Sequence, residues 1–176
     1  MTTKLLFAGF GGQGILFSGK FLAYRGLIED KQVSWLPSYG PEMRGGTANC
    51  SVILSDEPVG SPIVAYPDIL IAMNLPSLEK YEKDVVSGGK IFVDSTLITK
   101  KVERTDVEVF YIPATKMASD HELGNLANMI IMGKVVKECP ELGTASMDAA
   151  LAKVVPATKE KMIATNQTAL KLGAEY

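Results

Sequence analysis

Cysteine and histidine are scarce in this chain. Its 176 residues include two cysteines, Cys50 and Cys139, which lie far apart in the sequence, and one histidine, His121. Zinc sites and iron–sulfur clusters need several closely spaced thiolate or imidazole ligands, and a Ser–His–Asp arrangement needs a histidine beside its nucleophile. We therefore expect neither kind of centre in this chain. We interpret His121, which lies among charged residues in SDHELG, as an exposed surface residue.

A strong excess of charge and a long apolar run are also missing. The formal net charge is −2, and the lysines and arginines are scattered rather than aligned along one face, so we expect no basic surface for nucleic acid. The longest apolar runs, KLLFA and NMIIMG, are much shorter than the roughly 20 residues of a membrane-spanning helix. The N-terminal residues show no signal-peptide pattern. We expect a cytoplasmic protein that binds neither nucleic acid nor a membrane.

The chain does contain enough apolar sequence for one globular domain. Hydrophobic residues make up 47% of it and charged residues 22%, which are proportions typical of folded domains. Its length suits one domain with a substantial core, and no repeat divides it. We predict a single domain over residues 1–176.

Short apolar runs that predict strands alternate with stripes that predict helices. KLLFA is a predicted buried strand, and a helix is predicted over Ile15–Ile28. Further strands are predicted for QVSWLP, DILIAM, KIFVDS and VEVFYIP, with a helix over residues 77–86 between DILIAM and KIFVDS. The segment TANCSVILSDEPVGSPIV predicts a strand, a turn over residues 56–60 and a second short strand. Such an antiparallel pair would make the sheet mixed.

The pattern becomes helical beyond Ala114. LANMIIMGKVV is apolar nearly all round, as in a helix that is covered on several sides. Thr144 is a candidate N-cap for the next helix, and Gly173 is a candidate C-cap near the end of the chain. Together the elements predict an α/β fold, a three-layer Rossmann-like sandwich with a mainly parallel sheet and a helical C-terminal tail.

The glycine cluster in LLFAGFGGQGILFSGKFLA follows a predicted strand and opens a predicted helix. Gly9, Gly11 and Gly14 satisfy G-x-G-x-x-G in the one context that gives this weak motif weight. We predict that Gly9 makes the tight turn, Gly11 lets the backbone approach an anion and Gly14 permits close packing. The start of the helix would supply free N–H groups to the anion. The side-chain amide of Gln13 is a further candidate donor.

The glycine motif by itself leaves several ligands open. Binding of NAD needs an acidic residue at the end of the second strand to hold the ribose hydroxyls, but that strand ends with Leu36 and Pro37. The nearest acids, Asp30 and Glu42, lie before the strand and deep in the next loop. A Walker loop does not fit, because Lys20 comes too late in the sequence. A glycine turn that serves only strand–helix packing is the remaining alternative.

The loop PSYGPEMRGG, residues 37–46, contains other candidate binding residues. Arg44 has planar donors that suit a phosphate or carboxylate, and its alternative is a surface ion pair with Glu42. Tyr39 can stack on a ring or on an acyl-carrying tail, or fill the sheet edge. Secondary candidates, expected at the same edge because they follow predicted strands, are Asn74, Asp94 and Ser95.

Two stretches together resemble a known family. GFGGQGILFSGKFLA followed by WLPSYGPEMRGGTANCSVILSDEPVGSP closely resembles the gamma subunits of the 2-oxoacid:ferredoxin oxidoreductases. The similarity continues through PDILIAMNLPSLEKY and GGKIFVDSTLI, and so covers roughly residues 5–98. The second stretch is more similar to gamma chains of 2-oxoglutarate or branched-chain 2-oxoacid enzymes than to those of pyruvate enzymes.

The resemblance implies a non-catalytic subunit of an enzyme that decarboxylates a 2-oxoacid on thiamine diphosphate, reduces ferredoxin through iron–sulfur clusters and releases acyl-CoA. It implies that thiamine diphosphate and its Mg²⁺ lie between alpha and beta subunits, and that the clusters lie in beta or delta subunits. CoA would meet the glycine loop, and the loop over residues 37–46 would face the alpha subunit and the CoA path. The CoA-binding residues so implied are Gly9, Phe10, Gly11, Gly12, Gln13, Gly14, Tyr39, Glu42 and Arg44.

An independent protein with the same glycine loop is the alternative function. It would be a Rossmann-like nucleotide-binding dehydrogenase or binding module that works without partner subunits. The missing acid after the second strand counts against it. Saturable binding of NAD(H) with no response to CoA would favour it over the subunit.

Overall fold

The computed structural model describes residues 1–38 and 47–176, without the side chain of Thr47. Its centre is a six-stranded sheet in the order β2-β3-β1-β4-β5-β6. The strands are β1 (Thr2–Phe10), β2 (Gln32–Ser38), β3 (Thr47–Ser55), β4 (Ile69–Ala72), β5 (Lys90–Asp94) and β6 (Glu108–Ile112). The helices are α1 (Ile15–Ile28), α2 (Leu75–Tyr81), α3 (Ala114–Asp120), α4 (Ala127–Glu138), α5 (Met147–Val154) and α6 (Lys161–Glu175).

The sheet is mainly parallel with one reversed strand. β1, β4, β5 and β6 pair in parallel, whereas β3 lies antiparallel between β1 and β2. The predicted mixed sheet is therefore confirmed, but the antiparallel partners are not the ones expected. The second short strand predicted over residues 61–64 does not form. Both edges of β3 are already paired with β1 and β2, and Pro62 has no N–H to offer a ladder.

Two apolar clusters on opposite faces of the sheet make the structure three-layered. Side chains alternate along β1, so that Leu5 and Phe7 join the cluster under α1 and α4, while Leu6 joins the cluster under α2. This alternation is the period-2 pattern of a strand that is buried on both faces. The three-layer sandwich with a helical C-terminal tail is confirmed.

α1 has the bounds that its sequence predicts, and a buried arginine connects it to the loop that precedes α5. Arg25 is only 2% exposed. Its Nη2 and Nε donate to the carbonyl oxygen of Ala145 at 2.8 and 3.1 Å. Glu29, the C-cap residue that follows α1, accepts hydrogen bonds from the backbone N–H groups of Thr144 and Ala145. Thr144 is therefore not the N-cap of α5; Ser146 is, and its Oγ accepts from the N–H of Ala149.

The C-terminal helices α4 and α6 cross at a pair of glycines. A Cβ added at Gly173 would overlap the carbonyl oxygen of Ile130, and one added at Gly133 would overlap that of Leu170. Gly173 lies within α6 rather than beyond its end, so the predicted C-cap role is wrong. Its role is to let two helix backbones approach closely. None of the helices in the described parts of the chain is long and apolar enough to cross a membrane.

Candidate functional site

The glycine loop lies at the point where the chain changes faces of the sheet. β1 and β4 are parallel neighbours, but α1 follows β1 on one face and α2 follows β4 on the other, as their two apolar clusters show. The carboxyl ends of two such strands leave a crevice, which is the usual ligand position in open α/β sheets. The predicted location of the loop, between strand and helix at this edge, is confirmed.

Gly12 and Gly14 are the residues whose backbone requires glycine. Gly12 has φ 89° and Gly14 has φ 73°, in the left-handed region that disfavours side chains. Gly9 instead stays in β1, where it pairs with Ala48, so the prediction that Gly9 makes the tight turn is wrong. Its small size still matters, because an added Cβ would lie 2.8 Å from Cδ1 of Ile15. Strand pairing continues to Phe10, and the turn begins after it.

Gln13 fastens the loop to the end of β4. Its Oε1 accepts from the backbone N–H of Phe10 at 2.6 Å, and its Nε2 donates to the carbonyl oxygen of Met73 at 3.0 Å. Both ends of the amide are thus engaged with the protein backbone. The side chain holds the two sides of the crevice together, which is a different role from the expected free donor.

The N-terminus of α1 is open towards the crevice. Gly14 is its N-cap residue, no side chain in the described parts caps it, and its first turn contains no acidic residue. The first hydrogen bond of the helix runs from the N–H of Ser18 to the carbonyl oxygen of Gly14, at 3.0 Å. The backbone N–H groups of the preceding turn and the positive end of the helix dipole can therefore face an anion.

Asn128 of α4 is a residue of this site that the sequence analysis missed. It is 4% exposed, and its Nδ2 donates to the carbonyl oxygen of Gly14 at 3.1 Å and to Oγ of Ser18 at 3.0 Å. A Cβ on Gly14 would overlap this amide, so the predicted close packing at Gly14 is confirmed, with α4 as the partner. The available signal was one amide in the otherwise apolar LANMIIMGKVV.

The other candidates divide into two groups. Tyr39, Glu42 and Arg44 lie outside the described residues, so their predicted roles stay predictions.

Asn74 and Asp94 lie at the expected edge but support local structure. Oδ1 of Asn74 caps α2 by accepting from the N–H of Ser77 at 2.9 Å. Oδ2 of the fully buried Asp94 accepts from Oγ1 of Thr115 at 2.6 Å. Ser95, which follows it, donates its N–H to the carbonyl oxygen of Ile112.

Two pockets flank the glycine loop. The first has a volume of about 290 Å³ and lies towards α3 and α4; its lining is Gly12, Gln13, Met73, Leu97, Thr115, Ala118, Gly124, Asn125 and Ala127. The second, of about 310 Å³, lies towards β3; its lining is Phe10, Gly11, Gly12, Gly14, Ile15, Leu16 and Ala48. Gly12 borders both pockets, so a ligand held on the loop has room on either side.

The thiols and the histidine are placed away from any reactive arrangement. Cys50 and Cys139 are buried free thiols, and burial raises the pKa of each to about 12, so both are protonated at neutral pH. His121 is exposed, as predicted, and its Nδ1 lies 2.9 Å from the carbonyl oxygen of Met117. Within residues 1–38 and 47–176, no three His, Cys, Asp or Glu side chains converge as metal ligands.

The position of β2 also bears on dinucleotide binding. In the NAD-binding fold the second strand lies directly beside the first, and its terminal acid reaches the ribose. Here the reversed strand β3 separates β2 from β1, and β2 ends with the residues Leu36, Pro37 and Ser38. The end of β2 therefore offers neither the acid nor the adjacency that NAD binding uses.

The sequence pattern of the pyruvate ferredoxin/flavodoxin oxidoreductase family matches residues 4–176. The chain belongs to this family. The ketoisovalerate oxidoreductase subunit VorA of Methanothermobacter thermautotrophicus is 40% identical over 98% of this chain, which spans only 36% of VorA. The 2-oxoglutarate synthase subunit KorC of Methanocaldococcus jannaschii is 36% identical over 92% of this chain and 88% of its own length. The family resemblance drawn from the two loops is thus confirmed.

Solved structures agree with this membership. The gamma subunit of a keto/oxoacid ferredoxin oxidoreductase from Geobacter sulfurreducens matches with a TM-score of 0.78 and 30% identity, over 98% of this chain and 96% of that one. The 2-oxoglutarate:ferredoxin oxidoreductase from Magnetococcus marinus, solved with 2-oxoglutarate, coenzyme A and succinyl-CoA, matches with a TM-score of 0.83 over 99% of this chain and 30% of that one. At 22% identity the second match shows the shared fold.

Proposed function

We propose that residues 1–176 form the gamma subunit of a cytoplasmic 2-oxoacid:ferredoxin oxidoreductase and hold CoA against the glycine loop. The observation that carries the proposal is the start of α1 at the crevice between β1 and β4, which no side chain of the described residues caps. Backbone N–H groups at such a site suit a diphosphate, and CoA contains one. Membership of the oxidoreductase family indicates the kind of enzyme to which this site would belong.

The reaction is the oxidative decarboxylation of a 2-oxoacid, with 2-oxoglutarate or a branched-chain 2-oxoacid as substrate. The 2-oxoacid loses CO₂, its acyl group forms a thioester with CoA, and the electrons released reduce ferredoxin. The relatives VorA and KorC are named for ketoisovalerate and 2-oxoglutarate, which supports this pair of substrate classes.

Thiamine diphosphate, Mg²⁺ and the iron–sulfur clusters are assigned to partner subunits. When bound there, they would supply carbanion stabilisation and electron transfer. The thiols of Cys50 and Cys139 are buried and protonated, so they do not fit as cluster ligands. This chain contributes no catalytic residue in the proposal, and its alpha, beta and delta partners contribute the chemistry.

The chain's own residues bind and position CoA. Gly11, Gly12 and the first turn of α1 present N–H groups to the diphosphate, while Gln13 and Asn128 keep that turn rigid through their backbone contacts. The loop with Tyr39, Glu42 and Arg44 is assigned to the CoA path and to the surface that faces the alpha subunit. VorA is a longer chain of which this unit spans 36%, so in that relative the unit is covalently joined to further sequence.

Co-purification tests the proposal. The chain is expressed with the products of neighbouring genes and isolated through a tag on it, and the eluate is assayed for CoA-dependent reduction of a viologen dye. We expect reduction with 2-oxoglutarate or branched-chain 2-oxoacids, less with pyruvate, and none with the purified chain alone. A chain that elutes alone, or that binds NAD(H) and not CoA, would overturn the proposal in favour of an independent nucleotide-binding protein.

A further inference from the structure

The outer edge of β2 is the longer of the two free edges of the sheet. β2 has seven residues and β6 has five, and they are the first and last strands in the order of the described strands. Sheet edges are usually protected against pairing by charged residues, prolines or bulges. β6 starts with the charged Glu108, whereas β2 contains no charged residue and has only Pro37, near its end. β2 is therefore the edge that is better suited to pairing with another strand.

Large apolar side chains are exposed beside this edge. Trp35 and Leu36, in β2, are 37% and 39% exposed, and Leu27, near the end of α1, is 52% exposed. The end of α1 lies next to β2, because a Cβ added at Gly26 would come within 2.9 Å of Cγ2 of Val33. Several apolar side chains around one edge, with a tryptophan among them, are typical of a protein–protein interface.

The backbone groups that β2 presents outward belong to its odd-numbered residues. The N–H and C=O of a strand residue point to one side, and those of the next residue point to the other. The carbonyl oxygen of Lys4 accepts from Asp68, just before β4, at 2.8 Å, so Leu5 faces β3. Leu5 lies opposite Val52, and the backbone of Val52 is thus bonded to β1. Trp35 also lies opposite Val52, so the backbone groups of Trp35 point away from β3.

A second copy of β2 can satisfy these outward groups. The outward donors are the N–H groups of Val33 and Trp35, because Pro37 has none. When two β2 strands pair antiparallel with Ser34 opposite Ser34, Val33 of each copy exchanges both hydrogen bonds with Trp35 of the other. Every outward N–H group of both strands is then bonded. Pro37 lies beyond the bonded pairs, opposite Lys31, whose N–H already donates within its own chain.

The side chains agree with this pairing. Val33 and Trp35 lie on the face of α1, against Gly26 and Gly19. In the pairing, Trp35 of one copy lies opposite Val33 of the other, an aromatic–β-branched pair of the kind that stabilises sheets. Since β2 contains no charged residue, no like charges oppose each other. A strongly charged partner strand, by contrast, would find no counter-charge on β2.

We propose that two copies of this chain associate through β2, paired antiparallel about Ser34, so that their sheets join into one. Because the pairing is antiparallel, the carboxyl ends of the two sheets point in opposite directions. Each glycine loop therefore keeps its own end of the joined sheet, and an enzyme assembled on this pair would contain two copies of the chain. The pairing does not depend on whether CoA binds at the glycine loop.

Oxidative cross-linking of cysteine variants of the full chain tests the register. The Cα atoms of two Ser34 residues, a non-hydrogen-bonded pair, would be about 4.5 Å apart, which a disulfide can bridge. Ser34→Cys, treated with copper phenanthroline, should therefore give a covalent dimer on a non-reducing gel. Gln32→Cys is the matched control and should give none, because its two copies would lie about 13 Å apart at about 3.3 Å per residue. Cys50 and Cys139 are fully buried, so the wild-type chain should not cross-link.

Sedimentation equilibrium of the full chain measures the strength of the association. Ser34→Lys should raise the dissociation constant of the dimer about fivefold, because two like charges would lie directly opposite each other. Gln32→Lys, whose side chain would lie opposite Leu36, should change it by less than about twofold. The fluorescence of Trp35, the only tryptophan, should shift to shorter wavelength as the dimer forms, since the second copy covers its exposed part. Circular dichroism checks that each variant is folded.

Three outcomes would overturn the proposal. The first is a wild-type chain that stays monomeric both alone and after co-purification with partner chains. The second is a cross-link of Gln32→Cys without one of Ser34→Cys, which would mean that the copies meet in another way. The third is a cross-link from Ser34→Cys to a different chain in the complex, which would assign this edge to a partner subunit. None of these measurements involves CoA, so each outcome leaves the proposed function of the glycine loop unchanged.

Discussion

The two ends of the sheet differ in what their polar groups do. At the amino end, ion pairs form both between segments and within one. The Nζ of Lys90 lies 3.2 Å from Oε1 of Glu141, and Nη2 of Arg104 lies 2.6 Å from Oδ2 of Asp106. The N–H of Gly88 donates to the carbonyl oxygen of Asp106 at 2.7 Å. Charged and backbone groups at this end satisfy one another.

At the carboxyl end, side-chain amides that are hydrogen-bonded to backbone hold a helix start whose own N–H groups have no side-chain partner among the described residues. The amides of Gln13 and Asn128 are bonded to backbone, but the start of α1 that they hold has no side-chain cap among the described residues. Large apolar side chains are also exposed here, namely Phe10, Leu75 and Leu97 at 39%, 37% and 46%. A rigid scaffold with open donors and apolar surface is the combination expected of a binding site.

Two glycines make the comparison specific. Gly12 at the carboxyl end and Gly88 at the amino end have φ values of 89° and 79°, and neither has a neighbouring atom within 4 Å of an added Cβ. Their backbone requirements are thus alike. Only Gly12 precedes a helix whose N-terminus is open. The direction of the strands, and not the conformation of the glycine, distinguishes the binding turn from the structural one.

The largest expected effect is on the free energy of unfolding, through the crossing of α4 and α6. Gly173→Ala should lower the free energy of unfolding by about 3 kcal/mol, because its Cβ would overlap the backbone of Ile130 and the better helix propensity of alanine offsets only about 1 kcal/mol of the clash. Urea unfolding followed by circular dichroism measures this. The KM for CoA should not change in the folded complex, because Ile130 and Gly173 line neither pocket beside the glycine loop.

Gly60→Ala is the control for that prediction. No atom lies within 4 Å of its added Cβ, and its φ is not positive. We expect a change within about 0.5 kcal/mol. Equal stabilities of Gly173→Ala and Gly60→Ala would show that α4 and α6 do not pack through these backbones.

The next largest effect is expected for Asn128, which holds the start of α1 at the carboxyl end of the sheet. Asn128→Ala removes the hydrogen bonds to Gly14 and Ser18, and should cost about 2 kcal/mol because the buried hydroxyl of Ser18 loses its partner and the carbonyl of Gly14 loses one of two. It should also raise the KM for CoA, since the start of α1 is no longer held.

Asn166→Ala is the matched control. Asn166 is fully buried and donates to Met162 within its own helix. It should cost about 1 kcal/mol and leave the KM unchanged, and an equal rise in both would argue against a positioning role for Asn128.

A smaller effect on stability distinguishes the two ends directly. Gly12→Ala and Gly88→Ala should each lose about 1 kcal/mol through the strain of a positive φ. Only Gly12→Ala should raise the KM for CoA, by about tenfold, because hydrogen bonds to a charged group contribute roughly 1.5 kcal/mol or more. Steady-state kinetics of the complex with both variants measures the contrast. A similar KM in the two variants would remove the functional distinction between the ends.

The smallest effect concerns the ion pairs of the amino end. The hydrogen bond from Arg104 holds the pKa of Asp106 at about 2. A carboxyl with a lowered pKa stabilises the folded state at neutral pH, and this contribution is lost as the pH falls from about 4 to about 2. Asp106→Asn should therefore show a shallower fall of the urea midpoint over that range, with no change in the KM for CoA. An unchanged slope would mean that the pair exists in the unfolded chain as well.

The sequence predicted the local parts of the structure well. The bounds of α1 follow from its apolar ridge and the glycines that precede it, and the site of the loop follows from a strand that runs directly into that helix. The family follows from two loop sequences and is confirmed by the match over residues 4–176. The roles of Tyr39, Glu42 and Arg44, which lie outside the described residues, stay predictions.

The sequence did not predict which distant segments meet. The apolar pattern of a strand such as β3 is compatible with pairing to many other strands. Its insertion between β1 and β2 could therefore not be predicted from the sequences of these strands. A glycine near the end of a helical segment is typical of a C-cap. Only the close approach of α4 shows that Gly173 lies where α4 and α6 cross.

Local sequence patterns therefore determined most of the strands and helices and the position of the glycine turn, and two characteristic stretches determined the family of this protein. Only the tertiary structure decided which glycines bend the loop, that Asn128 holds the start of α1 across 114 positions of sequence, and that a pocket lies on each side of the loop. The physical reason is that propensity and periodicity act over a few residues, whereas hydrogen bonds and steric contacts between distant segments depend on how the layers pack.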